Sequence, residues 1–182
     1  LHRVAANMFD KYEIVGGVFN PNFEENIESA KKIGLNTSRI YKDFETLIEE
    51  ESKLRSDEKI QVVSVLTPNF LHYPMAKKLL ENNFHVICEK PLTTTYDEAL
   101  DLYKIQKEKN AVFAVTHTYT GYPMVRQMTK MIAEGVIGNI QRVDAQYLQG
   151  WLNPIIHDKD KRSSTWRLDP EKSGSSCCLG DI

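Results

Sequence analysis

The sequence predicts an α/β fold built on an open, doubly wound parallel sheet, and three features predict it. Short apolar runs rich in β-branched residues recur at residues 14–19, 62–66, 85–88 and 111–115. Helical patterns lie between them, and polar turn-forming groups follow three of the four runs. Continuous apolarity, in place of strict alternation, suits strands covered on both faces, and parallel strands need helical crossovers.

Taken in order, the run at 14–19 is the first strand, and residues 26–33 form a helix that Gly34 closes as its C′ residue. The strand at 62–66 leads into a helix over 69–82, with Leu71, Met75, Ala76, Leu79 and Leu80 on one face and Pro74 in or near its first turn. After the strand at 85–88, Thr95 and Glu98 make a capping box, so a helix should run from there to about Lys109. The strand at 111–115 follows. Beyond Tyr122 and Pro123 an amphipathic helix spans 124–134, closed by Gly135, and alternation over 140–148 predicts a strand with one wetter face. Residues 149–180 read as loop. The best boundary lies near Gly121, giving domains 1–121 and 122–182. Both ends read as cut, because the chain opens on Leu1 and stops at Ile182 without a polar tail.

Composition narrows the function. The 182 residues carry 23 Lys and Arg against 25 Asp and Glu, so no bulk field favours nucleic acid or an anionic membrane surface. No apolar run approaches the roughly 20 residues of a membrane helix. Cys177 and Cys178 are adjacent, a poor arrangement for zinc or an ordinary disulfide, and with Cys88 they read as reduced thiols of a cytoplasmic protein. His157 and Asp158 lack a third ligand at suitable spacing, so no metal site is expected. Glu49, Glu50 and Glu51 read as a solvated helix end.

In sheets of this kind ligands sit beyond the carboxyl ends of strands. The loops there are Asn20-Pro21-Asn22, Thr67-Pro68-Asn69 and Glu89-Lys90-Pro91. A lysine held at that edge suits proton transfer, whereas one merely following a strand is a solvated surface group. Context decides between them. Residues 62–66, Thr67-Pro68-Asn69, His72 and His85-Val86-Ile87-Cys88-Glu89-Lys90-Pro91-Leu92 resemble the Gfo/Idh/MocA family of nicotinamide-dependent oxidoreductases. Val136-Ile137-Gly138-Asn139-Ile140 resembles the family's turn into its second domain. Trp166-Arg167-Leu168-Asp169-Pro170 and Leu179-Gly180-Asp181-Ile182 resemble its W-R-x-D-P…L-G-D-I segment.

The resemblance implies a Rossmann-type dinucleotide-binding domain without its first strand, followed by the start of an α/β domain with an open, mostly antiparallel sheet. It implies hydride transfer between NAD or NADP and a hydroxyl-bearing carbon of a sugar, polyol or related compound, in a homo-oligomer. Lys90 would touch cofactor and substrate as the proton relay, and Asp181 would orient substrate. Thr67, Pro68, Asn69, His72 and Glu89 would line the cofactor cleft. The family's glycine-rich turn is absent, and its histidine four residues past the aspartate would fall beyond Ile182. Asn20 stands where NAD-selective members carry an acid, so NAD and NADP both stay open. His117, Tyr119, Tyr122, Trp151, Trp166 and Arg167 gather near the domain junction, as rings and donors for a polyhydroxylated ligand or as ordinary packing residues. A non-catalytic binding module, or a glycosidase or epimerase using transient oxidation, would share these features.

Overall fold

The computed structural model describes residues 2–174. The chain divides into two compact units, Leu1–Val62 and Val63–Ile182.

In the first unit, α1 (His2–Asn7) precedes an extended stretch that ends near Phe19. The strand predicted at 14–19 is here one parallel bridge, Gly17 to Ile40. The Gly17 N–H donates to the Arg39 carbonyl at 3.0 Å, and the Tyr41 N–H donates to the Gly17 carbonyl at 3.1 Å. The partner segment limits the pairing: a 3-10 helix (Thr37–Arg39) precedes Ile40, and a helix N-cap, Asp43, follows. Close approach also demands glycine, since a Cβ at Gly16 would lie 2.2 Å from the Arg39 carbonyl oxygen. Buried Asn26 fastens the loop: its Oδ1 accepts the Phe19 N–H and its Nδ2 donates to the Tyr41 carbonyl, both at 2.7 Å.

Helix α2 (Phe23–Lys32) starts earlier than its apolar spacing predicts because Asn22 caps it, accepting from the Glu24 and Glu25 N–H groups. Gly34 follows its end with φ 77°, as expected. Helix α3 (Phe44–Ser52) buries Leu47 and Ile48. It also buries Glu51, which corrects the reading of that acidic run as solvated: Glu49 and Glu50 do pair with Lys53 on the surface, but Glu51 is 0% exposed. Arg39 donates to it from Nε (2.9 Å) and Nη2 (2.5 Å), the Ile60 N–H donates at 2.6 Å, and the Tyr41 hydroxyl donates as well. Burial works against the Glu51 charge, but these bonds outweigh it and hold the carboxyl below its ordinary range. The Tyr41 phenol is pushed up to about 12, chiefly by burial and then by Glu51.

The second unit holds a three-stranded sheet in the order β1 (Val62–Val65), β2 (His85–Cys88), β3 (Phe113–Val115). Strands β2 and β3 are parallel, with Val86 opposite Phe113 and Cys88 opposite Val115. Helix α4 (His72–Glu81) follows a 3-10 turn (Asn69–Leu71) and carries Pro74 in its first turn. Helix α5 (Tyr96–Lys109) starts at the predicted Thr95–Glu98 capping box. Tyr73 and Lys77 of α4 both donate to Asp101 of α5, at 2.9 and 2.8 Å. Val65, Val86 and Cys88 are buried with Leu79, Leu80, Phe84 and Leu102. Ser64, Leu66, Val112 and Ala114, of the other parity, are exposed, so the expectation of two covered faces does not hold within this unit. The cause is topological: two crossovers stepping the same way across a sheet, both right-handed, put α4 and α5 on one face.

Helix α6 (Pro123–Ala133) is as predicted, and Gly135 follows it with φ 72°. The strand expected at 140–148 is absent, and its residues are irregular and exposed. Alternation makes a strand only when a neighbouring edge accepts its hydrogen bonds, and no described segment pairs with it. The open, mostly antiparallel sheet is thus not seen among the described residues after 121. The predicted loop from 149 carries short helices instead: α7 (Asn153–Ile156), α8 (Lys159–Ser164) and α9 (Pro170–Ser173), the last two capped by Asp158 and Asp169.

Glu51→Ala should lower the unfolding free energy in urea by about 3 kcal/mol, as breaking a buried pair does, while Glu49→Ala stays within about 0.5 kcal/mol. Because Glu51 titrates lower folded than unfolded, its contribution is present above the ordinary glutamate range and disappears as pH falls through the folded value. Equal losses from both variants would return Glu51 to the surface.

Candidate functional site

Three loops leave the carboxyl edge of the sheet side by side. The Glu89 N–H donates to the Val65 carbonyl and the Thr116 N–H to the Cys88 carbonyl, each at 3.0 Å, so the ladder runs one residue past β2 and β3 and then opens. Thr67, Pro68, Glu89 and Lys90 lie in these loops, each half-buried.

His72, at the start of α4, is fully buried and ties two of these loops together. Its Nε2 lies 2.8 Å from the Thr67 carbonyl oxygen and its Nδ1 2.7 Å from that of Pro91. A carbonyl only accepts, so the ring makes both bonds at once when each nitrogen carries a proton. Lys90 sits immediately before the tied residue, and its N–H donates to the Glu89 carboxylate at 3.0 Å. Cys88 contributes no nucleophile, because burial first and the Glu89 charge second push its thiol up to about 12.

Asn69 is buried, and its Nδ2 donates to the Ser173 carbonyl at 3.1 Å, across 104 residues of sequence. That bond sets α9, just after Trp166 and Arg167, against the Thr-Pro-Asn loop. The predicted substrate residues gather in two groups. The Arg167 guanidinium lies 4.5 Å from the Trp166 ring centre and 6.0 Å from that of Trp151. Tyr119 meets Tyr122 edge-on at 5.5 Å and shares a 2.6 Å hydroxyl–hydroxyl bond with Tyr147, which the sequence did not single out. His117 is exposed and heads the 3-10 turn Thr118–Gly121. Asp181 lies outside the described residues.

In the first unit, both ends of the Asn20 amide are engaged: Oδ1 accepts the Asn22 N–H and Nδ2 donates to Glu25, each at 2.8 Å. A cavity of about 570 Å³ in that unit, lined by Arg3, Asp10, Tyr12 and Leu35 among others, contains none of the predicted site residues. Among the described residues no three His, Cys, Asp or Glu side chains converge as a metal site would require.

The donor set at the sheet edge suits the nicotinamide end of a dinucleotide: a lysine, a threonine hydroxyl and a carboxylate stand where the strands end. A pyrophosphate cradle is a different matter, since the sequence carries no G-x-G-x-x-G turn.

Comparison with known proteins gives the family. Residues 1–129 match the Gfo/Idh/MocA oxidoreductase family with NAD-binding Rossmann fold, and residues 125–182 match the Gfo/Idh/MocA C-terminal domain. An uncharacterized oxidoreductase, YfiI of Bacillus subtilis, is 35% identical over 100% of this chain and 46% of its own length. Levoglucosan dehydrogenase of Pseudarthrobacter phenanthrenivorans is 36% identical over 88% of the chain and 37% of its own. The crystal structure of an inositol dehydrogenase homolog complexed with NAD+ from Azotobacter vinelandii has a TM-score of 0.89 at 37% identity, covering 100% of this chain and 46% of that one. With NADH and myo-inositol the same homolog gives 0.85 at 35% identity, covering 100% and 45%. The chain spans less than half the length of each of these relatives, from 37% to 46%.

His72→Phe keeps the ring's bulk and removes both hydrogen bonds. It should cost about 1–3 kcal/mol for each carbonyl left without a partner, read by thermal or urea unfolding. Native stability in this variant would show that the imidazole does not hold the two loops.

Proposed function

The chain belongs to the Gfo/Idh/MocA oxidoreductase family, and from that premise we propose that the whole protein containing it is a sugar or polyol dehydrogenase using NAD. The observation that carries this reading is the placement of Lys90 at the open carboxyl edge, one residue before the backbone that His72 ties to the Thr67 loop. NAD, when bound, accepts the hydride from the carbinol carbon.

Everything else falls to the chain. Oxidation of a carbinol leaves a carbonyl only if the hydroxyl proton also departs, so a group able to take that proton must stand within hydrogen-bond reach. Lys90 is that group in our reading, and Asp181, by its position in the family's motif, orients substrate and steadies the positive charge. Thr67, Pro68 and Glu89 line the nicotinamide end. His72 and Asn69, both buried, act as positioning residues: one joins the loops after β1 and β2, the other joins the first of them to α9. Trp166 and Arg167 on one side, Tyr119 and His117 on another, supply rings and donors suited to a ligand rich in hydroxyls. Relatives that act on or bind levoglucosan and myo-inositol support that substrate class.

Lys90→Ala in the whole protein should reduce turnover of a cyclic polyol by about 100-fold or more, with NADH binding retained. Asp181→Asn should behave alike. A Lys90→Ala protein that binds NADH and turns over at the native rate removes Lys90 from the chemistry. A native protein that binds NADH and oxidises no member of a polyol and sugar panel is the binding module instead.

A further inference from the structure

We propose that Glu25, held beside Asn20, is the residue that selects NAD over NADP; the inference rests on the NAD-dependent reading above and adds to it the group that discriminates. In dinucleotide-binding sheets the residue closing the second strand faces the adenosine ribose, and a carboxylate there both accepts the ribose hydroxyls and repels a 2′-phosphate. Asn20 is neutral and cannot repel.

The structure supplies the missing charge from five residues further on. Asn20 Nδ2 donates to Glu25 Oε2 at 2.8 Å, and Asn20 Oδ1 accepts the Asn22 N–H at 2.8 Å, so the amide is held at both ends and points its donor at the carboxylate. Glu25 is exposed, so a ribose hydroxyl at this edge could reach its carboxylate.

A second observation concerns the donors a 2′-phosphate would need. Helix N-termini bind anions through free N–H groups. At α2 the Glu24 and Glu25 N–H groups are already taken by Asn22 Oδ1, at 3.0 and 3.1 Å. Residues 19–30 contain no Lys or Arg, and their charged members are Glu24, Glu25 and Glu28. An added phosphate would therefore meet the Glu25 carboxylate and find the Glu24 and Glu25 N–H groups occupied. The interaction is exposed, so its repulsive part is sensitive to salt.

The test is direct titration of the whole protein with NADH and with NADPH, followed by dihydronicotinamide fluorescence, which reads binding apart from turnover. The native protein should bind NADH more tightly, and the preference should narrow as salt rises. Glu25→Gln keeps the hydrogen bond to Asn20 and removes the charge; it should shrink the ratio of the two dissociation constants by about tenfold. Adding Asn20→Asp to that variant should restore the preference. An unchanged ratio in Glu25→Gln, in a protein that still binds NADH, overturns the role of Glu25 and leaves the dehydrogenase reading standing. A native protein that binds neither dinucleotide overturns both.

Discussion

One buried imidazole sets the geometry on which the site depends. His72 presents a nitrogen to each of two carbonyls, Thr67 and Pro91, that belong to loops leaving neighbouring strands. Loop backbone at the end of a sheet has lost its ladder partners, and each buried carbonyl there must find a donor or carry the cost of having none. A ring seated between the two carbonyls links the two loops through one side chain. Lys90 lies next to the bonded Pro91, and the proton-relay role proposed for it would need a fixed backbone, because small displacements of a reacting group cost large factors in rate. Asn69 extends the rim by gripping Ser173.

The first unit uses the same device with a charge in place of a ring. Glu51 gathers Arg39, Tyr41 and the Ile60 amide, and Asn26 gathers Phe19 and Tyr41. A parallel pairing of one residue, Gly17 with Ile40, supplies little cohesion. Buried polar groups with every partner satisfied provide the rest and specify one arrangement of the loop that carries Asn20. The loops that carry Asn20 in one unit and Thr67 and Lys90 in the other are in this way positioned by buried polar side chains belonging to the following helices.

Elements governed by local rules were legible in the sequence. The Thr95–Glu98 box placed α5, Gly34 and Gly135 marked the ends of α2 and α6, and the strands at 62–66, 85–88 and 111–115 stood out by β-branched apolarity. The loops that carry Thr67 and Lys90 followed from those strands. Features that depend on a distant partner were not legible. Residues 14–19 and 140–148 have strand-like sequence, yet pairing is decided by what lies alongside. Glu51 shares the helix face of buried Leu47 and Ile48, a spacing the sequence does show, but its partners Arg39, Tyr41 and Ile60 lie outside the acidic run. Asn69 and Ser173 meet across 104 residues, and Tyr147 joins Tyr119 from an irregular stretch. Asp158 and Asp169, as caps of short helices, were readable signals that the Gly- and Ser-rich composition of the segment concealed.

The proposed chemistry depends on what the rim formed by residues 67–69 and 89–91 faces. A crystal structure of the whole protein with NAD+ bound tests it most directly. The nicotinamide ring should lie against these loops with the Lys90 Nζ within hydrogen-bond reach of the ring's ribose or of a bound polyol, and His72 should still lie between the Thr67 and Pro91 carbonyls. NAD+ seated elsewhere, or Lys90 turned away from it with the imidazole bonds broken, would contradict it.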